Sequence, residues 1–376
     1  MTVFPRYGVS TIGDVLPSAL AVLGAPGATD RLGLAGQLDG VRKIALLLVD
    51  GLGWHQLGPA AAHAPTLTEL ARTGRVLTSG FPSTTPTSLV SLGTGAAPGA
   101  HGILGFTLNV PGTDRVIVHT HWSDDPDPGV WQPVRTRFES TGGVDTIVVS
   151  RPEFAGSGLT LAAYRGGRFL AASGVDEVAA TVLAALDAAT APALVYGYHA
   201  DLDRTGHACG VDSDAWRAAV ADVDRLLTRV VDGLPPDTAL LVTADHGQLD
   251  VPLDMRFDLD LDPRLRAGVR VVAGEPRVRY LHTERGATAD VLATWRGILG
   301  DAAWVVERSE AVAAGWFGPV AEEHLTRVGD VVAACHDRHV VVATRTKPVR
   351  ESQLVAYHGS FTPAEMEIPL LVVRPG

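Results

Sequence analysis

The chain has 376 residues, 46% of them hydrophobic and 19% charged, so a large core can form and global disorder is excluded. Acidic residues exceed basic ones by 42 to 31, a net charge of −11, which argues against a broad surface for a nucleic-acid polymer. Two cysteines, Cys209 and Cys335, cannot build a disulfide scaffold or a four-thiolate zinc site, so a bound metal would rest on aspartates and the 13 histidines.

In chain order, the first segment to weigh is Val15–Ala28, whose centre has the apolar look of a secretory leader. Pro17 and Pro26 interrupt it, Arg6 stands alone ahead of it, and Asp14 precedes it, which speaks against a leader. No apolar stretch approaches the ~18–20 residues that span a bilayer. The expectation is a cytoplasmic chain without a membrane partner.

Lys43–Val49 reads as a buried parallel strand and runs straight into Asp50-Gly-Leu-Gly53. A hydroxyl-rich run follows, Gly80-Phe-Pro-Ser-Thr-Thr-Pro-Thr-Ser88, and the pattern then turns helical toward Gly95. Its plain reading is a Ser/Thr helix cap. The same geometry also suits a nucleophile, because a helix N-terminus favours negative charge and a phosphate beside it. Thr107–Arg151 is rich in Pro, Gly and Asp and breaks the strand–helix alternation.

Val175–Asp187 predicts a helix, and Ala193–Tyr198 a second buried strand leading to His199 and Asp201. In Asp203-Arg-Thr-Gly-His207 the Asp and His can face one point from a loop; a polar turn explains them equally. Asp212–Leu234 predicts an amphipathic helix with Trp216, Val220, Val223, Leu227 and Val231 on its apolar face. Thr238–Thr243 is a third strand, ending in Asp245-His246-Gly247. Pro252–Arg350 mixes short β pieces with a helix near Ala287–Leu299 and reads as an insertion. His358-Gly359 precedes a last strand, Ile368–Val373.

Strands alternating with helices indicate an α/β fold: a mostly parallel central sheet with helices on both faces, plus a small α+β cap insertion. The expected division is a core of residues 1–250 and 351–376, with the cap over 251–350. Polar residues follow the strand ends, where α/β sheets bind ligands. Singly, Asp50 reads as a helix cap and His358 as a surface or core histidine. Together, three Asp and three His form the ligand set that suits two divalent cations, and Zn²⁺ is preferred on ligand type, with Mn²⁺ or Fe²⁺ also compatible.

The collected motifs resemble those of the alkaline phosphatase superfamily, and within it the type I phosphodiesterase/nucleotide pyrophosphatase family. The resemblance rests on Asp50-Gly51, Phe81-Pro-Ser-Thr-Thr85, Gly95, His101-Gly-Ile103, Asp203-x-x-Gly-His207, Asp245-His246-Gly247 and His358, in that order. It implies that Asp50, Thr85, Asp245 and His246 hold one metal, and that Asp203, His207 and His358 hold the other. It implies Thr85 as nucleophile, with Thr84 the alternative after a one-residue slip. The implied activity is hydrolysis of phosphodiester or pyrophosphate bonds in small nucleotide-like substrates, through a covalent phospho-threonine at a two-zinc site. A phosphomonoesterase or phosphonate hydrolase of the same superfamily is the alternative; a binding protein that kept the fold without activity is a third reading.

One position departs from the pattern. Family phosphodiesterases carry an Asn shortly after the His-Gly-Ile motif, where it helps hold a phosphate oxygen. Here Phe106 stands there, and Asn109 is the nearest substitute. Further residues have a weaker claim: His119, His121 and Trp122 as pocket wall or solvated loop, Asp201 as support for a ligand His, Cys209 as a small packed side chain, His336 and His339 as surface residues. Trp295, Trp304 and Trp316 read as core of the insertion.

Overall fold

The structure, a computed structural model, describes residues 1–189, 192–345 and 351–374. Strands of four residues or more are, in chain order, β1 (Lys43–Val49), β2 (Arg75–Thr78), β3 (Asp145–Ser150), β4 (Arg168–Ala171), β5 (Ala193–His199), β6 (Thr238–Thr243), β7 (Val269–Glu275), β8 (Val278–Thr283), β9 (Ala303–Glu307), β10 (Val331–Cys335) and β11 (Glu367–Val373). Helices of eight residues or more are α1 (Val15–Val22), α2 (Thr85–Thr94), α3 (Gly174–Ala188), α4 (Asp201–Cys209), α5 (Asp214–Gly233) and α6 (Thr288–Leu299).

β1 is apolar and buried on both faces beyond Lys43, so it can only lie inside a covered sheet. Seven strands form that sheet in the order β2-β11-β6-β1-β5-β3-β4. β11 runs antiparallel to both neighbours; the other pairings are parallel. Helices flank the sheet. On α5 the Ser213 hydroxyl accepts from Trp216 N, and Trp216, Val220, Val223 and Leu227 are buried, each worth ~1.5–3 kcal/mol of burial. α1 is itself buried over most of its length. Among the described residues, no helix is long and apolar enough to cross a membrane.

Two expectations are corrected. The irregular stretch ending at Arg151 closes in β3, a full member of the central sheet; its apolar Thr146–Val149 core is short enough to hide behind the turn residues ahead of it. The Asp203–His207 motif lies in a helix, α4, not a loop. Four residues of helix place Asp203 and His207 on one face.

The second sheet is antiparallel, in the order β7-β8-β10-β9. Val291, Trp295 and Leu299 of α6 cover one face, packing with Leu281, Val305, Val331 and Ala333. From the other face Ala273, Val278, Tyr280, Val332 and Ala334 join the main core. Trp295 is therefore core of this unit, whereas Trp316 is buried in the main cluster and Trp304 packs against it.

Candidate active site

The parallel register sets β1, β5 and β6 level at their carboxyl ends, with Val49 opposite His199 and Leu48 opposite Thr243. Asp50, α4 and Asp245-His246 leave the sheet at that level. His358 arrives from far along the chain because Ala356–Tyr357 pairs antiparallel with Leu249–Asp250, just after Gln248. The main-chain N–H of Val355 also donates to the His207 carbonyl at 2.8 Å. All six predicted Asp and His residues therefore meet, in two groups.

The first group is Asp50, Asp245 and His246, buried, with one ligand atom from each within 4.8 Å of the others. His246 Nε2 lies 3.5 Å from Asp50 Oδ1 and 3.2 Å from Asp245 Oδ2. Both carboxylate oxygens are buried without a hydrogen-bond partner in the described structure. The other oxygen of each is satisfied: Asp50 Oδ2 accepts from the Tyr198 hydroxyl, and Asp245 Oδ1 from the N–H groups of Gly51 and His246, each at 3.1 Å.

The second group is Asp203, His207 and His358, again within 4.8 Å. His207 Nδ1 donates to the Ala356 carbonyl at 2.7 Å and His358 Nδ1 to the Ser83 carbonyl at 2.9 Å. That leaves the two Nε2 atoms facing each other, 3.1 Å apart. Asp203 adds its carboxylate at 3.4 Å from His207 Nε2 and 3.7 Å from His358 Nε2.

Such convergence of acceptors without donors is costly unless a cation or protons fill it. Without a metal, protons do so: burial, then Asp245 and Asp203, push the Asp50 carboxyl well above the usual range. Burial likewise raises Asp245. Burial together with His246 and His207 holds His358 well below the ordinary imidazole value, so it stays neutral. Neutral imidazole and carboxylate oxygen at this spacing fit divalent cations.

Thr85 adjoins the first group, its Oγ1 3.1 Å from His246 Nε2, and lines the same cleft as the second. It is the first residue of α2, after Thr84 in extended conformation. Ser83, Thr84, Thr87 and Ser88 are buried, whereas Thr85 is half-buried and opens to the cleft. The cleft has a volume of about 700 Å³; Asp50, Thr85, Asp203, His207 and His358 line one end.

The weaker candidates sort clearly. Phe106 lines the cleft. Asn109 does not replace an asparagine there: its amide donates to the Thr113 and Arg115 carbonyls, closing a hairpin. His119 and Trp122 are buried rather than in a solvated loop, and neither lines the cleft. His121 is exposed. Asp201 is on the rim, ion-paired with Arg151 and with Arg204 at 2.9 Å. Cys209 is exposed, not packed, because it falls at the outer end of α4. His336 and His339 are partly buried and away from the cleft.

Sequence reasoning missed three participants. Tyr198 holds Asp50, and Gln248 holds Asp203 by donating to its carbonyl at 3.0 Å and to its carboxylate. Both adjoin recognised motifs, which is the signal that could have found them. Glu275 reaches the cleft from β7, and nothing in the sequence near it marks it.

The model of the type I phosphodiesterase / nucleotide pyrophosphatase family matches residues 44–361. No curated protein sequence matches the chain. Murine ectonucleotide pyrophosphatase/phosphodiesterase 5, an inactive threonine-to-alanine variant solved with AMP, is similar in structure with a TM-score of 0.70 at 18% identity, over 89% of this chain and 88% of that one. The human protein of the same name gives 0.68 at 16% identity, over 89% and 88%. Phosphonoacetate hydrolase from Sinorhizobium meliloti 1021, solved with phosphonoformate, gives 0.67 at 18%, over 89% and 90%. With the family match spanning the whole site, the chain belongs to the type I phosphodiesterase/nucleotide pyrophosphatase family and is a hydrolase of phosphoric ester bonds.

Proposed function

We propose that the protein cleaves phosphodiester or pyrophosphate bonds in small, nucleotide-like substrates, with Thr85 as nucleophile. The observation that carries this reading is one half-buried hydroxyl, Thr85 Oγ1, 3.1 Å from His246 Nε2 and open to the cleft that both ligand groups line. Asp50, Thr85, Asp245 and His246 would hold one divalent cation; Asp203, His207 and His358 would hold the second. Bound there, two Zn²⁺ ions would act as Lewis acids toward the attacking and leaving oxygens.

The chain's own residues then do the following. The start of α2 favours negative charge on the Thr85 oxygen and on a phosphoryl group beside it. Thr85 Oγ1 forms a bond to phosphorus as the bond to the leaving oxygen breaks; the hydroxyl proton passes by way of solvent to the departing oxygen, and a phospho-threonine is left. Water attacks that ester from the vacated side and frees the Thr85 hydroxyl. Tyr198 and Gln248 keep the Asp50 and Asp203 carboxylates aimed while this happens. We further propose that residues 251–350 act as the cap of the cleft, and that nucleotide-like substrates, AMP being the murine neighbour's ligand, occupy the volume under it.

Phe106, standing where a phosphate-holding amide is expected, and Arg151 and Arg204 on the rim favour a second reading, hydrolysis of phosphomonoesters or phosphonates. Turnover of bis(p-nitrophenyl) phosphate, p-nitrophenyl phosphate and phosphonoacetate by zinc-loaded protein separates the two. The first reading expects the diester to be preferred; a preference for either other substrate overturns it.

A further inference from the structure

Glu275 ends β7 at the tight hairpin to β8, where it pairs with Val278. It is 4% exposed, yet it lines the cleft with Thr85, Phe106 and His358. Its Oε1 has no hydrogen-bond partner among the described residues, and the Thr84 hydroxyl is turned toward the carboxyl. Gly359, at φ +137°, leaves room for it: a Cβ there would stand 3.0 Å from Glu275 Oε2. A buried carboxyl of this kind requires a partner or must be neutral.

Two arginines lie near it, and Arg279 keeps an Nη1 without a hydrogen-bond partner among the described residues. Arg277 forms a bidentate pair with Glu365, both bonds 2.7 Å, and Arg279 binds Glu351 at 2.6 Å and the Val341 carbonyl at 2.8 Å. The other groups facing it are the Thr84 hydroxyl, the Phe106 N–H, Glu365 and the Tyr280 phenol. Burial pushes the Glu275 carboxyl up to about 8, so near neutral pH the acid form, with one O–H donor, predominates. An anionic phosphoryl group in the cleft favours that form further, because it repels a carboxylate and accepts from an acid.

We propose that Glu275, as a carboxylic acid, donates a hydrogen bond to a non-bridging phosphoryl oxygen of the substrate, supplying from the cap the donor that Phe106 cannot. This rests on the reading of Thr85 as nucleophile, since Glu275 faces the residue just before it.

Glu275→Ala, Glu275→Gln and Thr85→Ala are compared as zinc-loaded proteins, by inorganic phosphate binding in calorimetry and by turnover of bis(p-nitrophenyl) phosphate. Glu275→Ala is expected to lower kcat/KM ~10²-fold, the size seen when one oxyanion donor is lost, and to weaken phosphate at least ~10-fold. Glu275→Gln, whose amide donates at every pH, is expected to keep both within ~10-fold of wild type. Wild-type phosphate affinity is expected to fall more steeply with rising pH than that of Glu275→Gln, because only the carboxyl loses its donor on ionising. The proposal is overturned if Glu275→Ala binds phosphate like wild type, if Glu275→Gln is as impaired as Glu275→Ala, or if wild type binds no phosphate. Full turnover by Thr85→Ala instead overturns the nucleophile reading, and the phosphate measurement still decides the role of Glu275.

Discussion

The imidazole rings of His246 and His358 lie face to face, 3.6 Å between centroids and 13° between planes. Each belongs to a different ligand group, so the two groups share a wall made of two rings. Taking one ring away frees the other to tilt. His358→Ala is expected to lose the second cation outright and to weaken the first ~10–100-fold, as loss of a supporting contact does. Elemental analysis after dialysis checks this: undiminished metal content in the variant contradicts it.

Thr85→Ala removes the oxygen proposed to attack but leaves the carboxylates and imidazoles in place. Turnover is expected to fall at least ~10³-fold, with most of the metal and the thermal midpoint retained. Thr84→Ala, at a buried neighbour that does not line the cleft, is expected to keep more activity than Thr85→Ala. The reverse order of effects would move the nucleophile to Thr84.

Tyr198→Phe deletes the hydroxyl that donates to Asp50 and nothing else of the ring. Burial, with Asp50 and Asp245, keeps that phenol protonated at every working pH. The variant is expected to bind zinc ~10-fold more weakly, measured by competition with a chelator. Equal zinc affinity would show that Asp50 needs no such support.

Acid stability depends on two histidines outside the site. Burial, aided by His324, Arg327 and His119, holds His101 down to about 3; burial holds His119 down to about 4. Both are neutral in the fold and become charged in the unfolded chain below about 6.5. The unfolded chain then binds more protons, so their contribution is whole above pH 6.5 and is lost as pH falls toward those lowered values, by up to ~1.4 kcal/mol per pH unit for each group. His119 accepts from Trp131 Nε1 at 3.1 Å and donates to the Gly105 carbonyl at 2.9 Å, roles a glutamine can fill. The thermal midpoint of His119→Gln is expected to fall less between pH 7 and 5 than that of wild type. Parallel curves would remove His119 from the account.

The Arg277–Glu365 pair fastens the β7–β8 hairpin to the segment just after His358, and both side chains are fully buried. Glu365→Gln leaves a buried guanidinium without its counter-charge and is expected to cost ~3–5 kcal/mol, seen in the urea midpoint. The double change Arg277→Met with Glu365→Leu is expected to recover part of that loss. A single variant as stable as wild type would mean that solvent already reaches the pair.

Sequence made the central strands legible because Lys43–Val49, Ala193–Tyr198 and Thr238–Thr243 are apolar on both faces, a pattern that solvated strands cannot carry. The ligand set was legible because its members sit directly at the ends of those strands or in a recognisable run. β2 and β4 were not seen: each is four residues long, and β4 is at the sheet edge with no fully buried position. Glu275 was invisible for another reason. Its place depends on how one sheet packs on another, a tertiary relation with no local signature. His324 and Arg327, which pack against the Gly102 turn, escaped notice in the same way.

The place of β11 has a bearing on how the chain is made. β11 slots between β2 and β6, two strands synthesised well before it. Until then both present bare main-chain edges, the kind of surface that recruits other nascent chains or chaperones. The sheet therefore cannot close before β11 is made, and a product terminated ahead of Glu367 would leave β2 detached from β6.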